Sequence, residues 1–211
     1  MPGSASSINL NADYSMKDLS HYTALAEMFS YPAEDLKTYI GEWRKIVINC
    51  DPSLYICLER FIDHVEHRTS EYRQEYFVST FYVQPLCCLD IGYVLFGEDY
   101  RRGQFMANLK KEHRLSGNDC GTELPDHLPV VLKLVPKLTS GFAEELVYSL
   151  LIPAVNEMIV DFKGEKNFYK DLLRIVLSVM EKDFPDSKFE QFRFEKRGKD
   201  SRKTAKKTMP E

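Results

Sequence analysis

The chain has 211 residues, with 28 Lys and Arg against 32 Asp and Glu, 44% hydrophobic residues and a formal net charge of −4. That length fits one domain with a sizeable core, and the balance of apolar and charged residues excludes collagen-like, low-complexity and wholly disordered chains. Ten Gly and ten Pro are few for a fold of many tight turns, so long helices are expected over a small all-β barrel.

Residues 1–14 are rich in Ser, Asn and Gly and carry no periodicity. They read as a flexible leader, without the basic and apolar regions of a secretory signal. Ser15 is placed to cap a first helix with Leu19, Tyr22, Leu25, Ala26 and Phe29 on one face, ended by Pro32. A second helix is expected over 33–48 (Leu36, Ile40, Trp43 and Val47 inward). Asp51 followed by Pro52 is a cap with Pro at the first helical position, and opens a third helix with Leu54, Leu58, Phe61, Ile62 and Val65 inward. Ser70 caps a fourth, Glu71 to Phe81.

Pro85 then breaks the chain before Leu86–Phe96, a segment whose only charge is Asp90 and whose length suits a buried helix or a strand; its helical neighbours favour helix. Tyr100–Leu115 reads as a polar-faced helix with Phe105, Met106 and Leu109 inward, closed by Gly117. After a loop at 117–124, Pro125 or Asp126 starts a helix to Leu138, Ser140 caps one from Gly141 to Phe162, and Gly164 separates the last, Glu165 to Phe184, which Pro185 stops. Phe189, Phe192 and Phe194 are candidates to fold back on the body. The expectation is one all-α domain over 15–190, a bundle of about eight or nine helices, with no internal repeat or heptad run. Between Gln191 and Glu211, eight basic residues against three acidic ones make a basic, disordered tail, leaving a net charge of −9 on the other 190 residues. Such an acidic body is a poor partner for nucleic acid and suits a cationic one. No apolar stretch is long enough for a membrane span.

Chemical signatures are sparse. The sequence contains no phosphate-binding glycine loop, nucleophile elbow or zinc-protease pair. His64 and His67, three apart beside Asp63, could share a metal on a helix face or stand on a solvated one, and His113, Cys120 and His127 bracket a loop with ligands missing. The five cysteines (Cys50, Cys57, Cys87, Cys88 and Cys120) are odd in number and repeat no C-x-x-C spacing, so reduced thiols in the cytoplasm are expected. The vicinal pair Cys87-Cys88 reads as a redox or soft-metal site or, in its apolar setting, as two small hydrophobes. A small helical metal- or redox-sensing protein using His64, His67 and the cysteines is therefore one functional reading.

Two segments point elsewhere. The turn Gly97-Glu98-x-x-Arg101-Arg102-Gly103, with Met106 and Leu109 behind it, is followed after a loop by Glu123-Leu124-Pro125-Asp126-His127-Leu128-Pro129. By chemistry alone, Arg101 and Arg102 can cap a helix end or grip a carboxylate in a fork, and Asp126 can cap the helix that follows it. Tyr72, Tyr76, Phe77, Phe81 and Tyr82, at helical spacing just before, serve equally as core or as walls of a peptide groove. In these two segments the chain resembles the NarJ-type assembly chaperones of molybdenum oxidoreductases, in the wider group with TorD and DmsD. It departs from that pattern at Tyr100, where Ser is usual, near His113, where Tyr is, and around Lys133, where Glu is. The resemblance implies an all-helical, cytoplasmic, non-enzymatic chaperone, a monomer or helix-swapped dimer. It would bind the apo catalytic subunit of a nitrate-reductase-like enzyme (nitrate, chlorate, perchlorate, selenate, dimethyl sulfide or ethylbenzene type), including its N-terminal segment. That client then receives bis-molybdopterin guanine dinucleotide, and the chaperone itself keeps no cofactor. The motif or client-binding residues it points to are Tyr72, Tyr76, Phe81, Glu98, Arg101, Arg102, Gly103, Pro125, Asp126, His127 and Pro129.

Overall fold

Apolar side chains recurring every three or four residues bury one face of each helix, and in the computed structural model those faces meet in one core. The structure describes residues 17–32, 37–164 and 166–194. Their helices are α1 (His21–Glu27), α2 (Lys37–Cys50), α3 (Tyr55–Glu66), α4 (Ser70–Val78), α5 (Ile91–Phe96), α6 (Tyr100–Leu115), α7 (Leu128–Leu134), α8 (Ser140–Glu145), α9 (Ile152–Asp161) and α10 (Tyr169–Asp183). A π turn, Leu146–Leu151, joins α8 and α9 into one rod, so the described residues form nine rods and no sheet. The fold is the expected all-α bundle. No described helix is long and apolar enough to cross a membrane.

The last helix organises the bundle. Leu172, Leu173, Ile175, Val176, Val179 and Met180 of α10 are buried against α2, α3 and α9, each such side chain contributing roughly 1.5–3 kcal/mol when withdrawn from water. α1 packs on α2 and α7, where Trp43, fully buried, donates its indole N–H to the Ala24 carbonyl at 2.7 Å. That carbonyl lies in the final turn of α1, so the indole both fills volume and serves a helix end. Further along α2, the Lys182 ammonium serves its terminal carbonyls, Asn49 and Cys50. α6 is the exception, with only Leu109 and His113 buried and Phe105 and Met106 half-covered.

Several boundaries differ from expectation. Thr69, not Ser70, caps α4, accepting from the Tyr72 N–H, and Thr139, not Ser140, occupies the cap position of α8. Asp51 is a cap, but it opens a 3-10 turn, Pro52–Leu54, before α3 begins. The helix expected over Leu86–Phe96 forms only from Ile91; 84–90 run as irregular chain, tied by Leu86 N–H to Thr80 O (2.8 Å) and by Lys163 N–H to Leu86 O (3.1 Å). The helix expected from Pro125 or Asp126 starts at Leu128. Phe192 does return to the body: its N–H donates to Ser149 O at 2.8 Å and its ring lies edge-on to Phe96. The leader 1–14, Ser15, Leu36 and the tail from 195 onward lie outside the described residues.

Candidate functional site

The two motif segments meet at the start of α5. The chain at 89–91 and the loop at 126–128 run antiparallel for one bridge, Asp90 opposite His127, with Ile91 N–H donating to Asp126 O and Leu128 N–H to Leu89 O, both at 2.9 Å. Pro129, lacking an N–H, sits in the first turn of α7 where none is needed, and is buried. The short ladder fixes Asp90, Asp126 and His127 relative to one another. α6 then lays Arg102 across them.

Arg102 is the hub. Its Nη2 is 3.2 Å from Asp90 Oδ2, its Nε 3.4 Å from Asp126 Oδ2, and its guanidinium lies 5.4 Å from the centre of the Tyr93 ring. Asp90 in turn accepts from or pairs with His127 Nδ1 at 3.0 Å through its other oxygen, while His127 Nε2 faces Glu123 at 4.0 Å. A rigid fork is the group that can span two carboxylates at once. Asp126, fully buried, also accepts the Gly92 N–H at 3.1 Å through Oδ2. It therefore does not cap the helix that follows it, as expected, but the first turn of α5, where an orphan N–H and the positive end of the helix welcome a carboxylate. A Cβ on Gly92 would stand 2.7 Å from that same oxygen and 3.0 Å from Phe105, so the approach requires glycine.

The two carboxylates are electrostatically distinct. The bond to His127, reinforced by Arg102, holds Asp90 below the usual carboxylate range in spite of its burial. Burial, with Asp90 as a second cause, pushes Asp126 up, and Arg102 only partly offsets this. Asp126 Oδ1 is buried and has no hydrogen-bond partner among the described residues. His127 also lines an opening of about 300 Å³ with Phe29, Tyr31, Tyr82, Glu123 and Lys133, and Tyr31 and Tyr82 are more than half exposed there. A larger cleft of about 700 Å³ lies between Pro85–Cys88 and the end of α9.

The remaining motif residues are peripheral. Arg101 pairs with Asp99, the cap of α6, and lies over the Phe96 ring at 5.7 Å. Glu98 and Gly103 are exposed, and space is open around Gly103. Gly97, at φ 63°, ends α5 in the left-handed region. Pro125 is half-buried and offers its carbonyl to His113 Nε2 at 2.9 Å.

The aromatic stripe closes on itself. Phe77 and Phe81 are core, and with Tyr76 they surround the Tyr169 ring at centroid distances of 4.9–5.9 Å. Tyr76 donates to Asn167 and accepts from Phe168 N–H, both at 2.9 Å, and burial pushes its hydroxyl up to about 12. Tyr72 reaches His64 at 3.4 Å and carries Arg68 on its ring. As groove walls, Phe77 and Phe81 are unavailable; of the five residues only Tyr82 is substantially exposed.

His64 turns into this cluster, within 4.7–5.7 Å of Tyr72, Tyr76 and Phe168, whereas His67 is exposed beyond the end of α3. Among the described residues no group of three or more His, Cys, Asp and Glu could hold a metal ion. All five cysteines are free, and burial raises each thiol, Cys87 to about 12, which disfavours the reactive thiolate. Sequence reasoning missed Gly92 and the hub role of Asp90, although Asp90 is conspicuous as the one charge in its segment. No family model matches the chain and no curated protein matches it.

Proposed function

We propose that this protein is a system-specific, non-enzymatic assembly chaperone of the NarJ type, acting in the cytoplasm. It binds the apo catalytic subunit of a nitrate-reductase-like molybdenum oxidoreductase and holds it open while bis-molybdopterin guanine dinucleotide is inserted, then leaves the finished enzyme. One observation carries the reading: the two segments on which the resemblance rests, Gly97–Gly103 and Glu123–Pro129, are joined in space through Arg102 and Asp126. Residues brought together by a buried ion pair rather than by chain proximity form a unit, which is what a shared recognition site requires.

The opening beside His127 offers the chemistry for a client segment. Exposed Tyr31 and Tyr82 suit the apolar face of an amphipathic peptide, and Glu123 suits a cation at its edge. The −9 carried by residues 1–190 steers a cationic N-terminal segment toward the site in a salt-sensitive way. The test is capture of partners from the native host. Stable recovery of the apo catalytic subunit, lost once its cofactor is loaded, is expected; recovery only with the mature enzyme, or affinity for the client's N-terminal peptide that ignores ionic strength, would count against the reading or its electrostatic part respectively.

A further inference from the structure

We propose that His113 is a positioning residue for the Asp126-His127 turn, and that adding a proton to its ring loosens that turn. His113 lies in the last turn of α6 and is only 2% exposed. Its Nε2 is 2.9 Å from Pro125 O, its Nδ1 is 3.0 Å from Asn118 Nδ2, and that same amide nitrogen is 3.1 Å from Val130 O. The hydrogens follow by elimination. Both backbone carbonyls only accept, so Nε2 carries the ring proton, and Asn118 donates one hydrogen to Val130 and the other to the bare Nδ1. A neutral imidazole thus satisfies every atom of the network, which reaches the chain on both sides of Asp126 and His127.

A second proton breaks this arrangement. An N–H at Nδ1 would face the N–H of Asn118, and turning the amide over to offer its oxygen would set that oxygen against Val130 O. Neither state of Asn118 serves a charged ring without giving up Val130. The surrounding groups give the charge no alternative partner. Lys137, beyond α7, donates to Gly117 O at 3.5 Å and repels a cation; the loop and α7 present Asn118 and the Pro125 and Val130 carbonyls; Asp126 gives Oδ2 to Arg102 and Gly92 while its Oδ1 makes no hydrogen bond to His113, and His127 pairs with Asp90. Burial first, and Lys137 in the same direction, lower the affinity of His113 for a proton, with the Pro125 bond acting against them. The native state therefore prefers the neutral ring: its hold is complete above the ordinary histidine value of about 6.5 and is lost as pH falls below it.

A client grip that weakens on mild acidification is the functional consequence, and that consequence rests on the proposed function. The latch itself is tested on the free protein. Exchange of the Ile91 and Leu128 amide hydrogens, which bond Asp126 O and Leu89 O, is followed from about pH 7.5 to about pH 5.5 after correction for intrinsic rates, together with the ring nitrogens of His113 by NMR. His113 should start as the Nε2–H tautomer and titrate below 6.5, while both amides exchange faster, by up to about tenfold, with the same midpoint. In His113→Gln, whose amide can donate to Pro125 and accept from Asn118, the step should vanish. A ring that titrates at or above 6.5, amides indifferent to its titration, or a step that survives in His113→Gln would overturn the latch. Should the variant fail to fold, the wild-type titration alone decides. Because no client is present, failure here counts against the latch and not against the capture experiment above.

Discussion

The aromatic cluster around Tyr169 and the ionic hub around Arg102 both contain residues that the sequence marks as functional, and they are built on opposite terms. In the cluster, Phe61 of α3, Phe77 of α4 and Phe81 just beyond it meet Tyr169 of α10 edge to face, with Phe29, two residues past α1, tilted against the same ring. In the hub, nearly every polar atom has one named partner drawn from a different segment. Periodic aromatic residues declare an apolar face without saying whether core or client will cover it. A short polar motif, by contrast, signals a partner that only the fold supplies.

Mutations can sharpen this contrast. Phe81→Ala should cost about 3–5 kcal/mol in urea unfolding, because the ring is core and its neighbours cannot collapse into the space; a loss near zero would mean the cluster is loosely packed. Arg102→Ala should cost about 2–3 kcal/mol and leave Asp126 buried with a single backbone donor, so client capture should fall even where the fold survives. Gly92→Ala should cost about 1–3 kcal/mol by driving a methyl group onto Asp126 Oδ2, and the shift should appear at the Asp126 and Arg102 resonances before anywhere in the aromatic cluster.

The two regions should also fail at opposite ends of the pH scale. Asp90 is held below its unfolded value, so its contribution is complete above about pH 4 and is lost as pH falls through the lower folded value. Tyr76 is raised to about 12 and Tyr169 is raised as well, so their contribution is complete below about pH 10 and is lost as pH climbs past it. Urea midpoints against pH should therefore show Asp90→Asn flattening the acid limb and Tyr76→Phe the alkaline one. The smallest effect has the opposite sign. Gly103→Ala, in the first turn of α6 with open space at the Cβ, should stabilise by about 0.5–1 kcal/mol; a concurrent loss of capture of the proposed client would identify this motif glycine as a contact surface rather than a structural necessity.

Legibility followed the same division. The 3.6-residue period of α10 and α3 and the Asp51-Pro52 cap are readable because they depend on neighbours in sequence. Leu86–Phe96 was half misread because Ile91 N–H and Leu89 O are claimed by the loop at 126–128, a contact across more than thirty residues that no local pattern encodes. Local sequence points Asp126 to the nearest helix start, which is where such a residue usually acts; the fold gives it a different one. Asp90 offered the one clue available, a lone charge in apolar surroundings, which implies a buried partner.

Pro153 has a reach well beyond its own helix. Four residues after Ser149, it has no hydrogen to return to that residue's carbonyl, and the rod widens there into a π turn. The carbonyl so released is the one that receives Phe192 N–H. A flaw in one rod is thus one mooring of the returning segment, beside the Phe96 ring: an ordinary residue at 153 would reclaim the Ser149 carbonyl and loosen the arm without a single change to the arm itself.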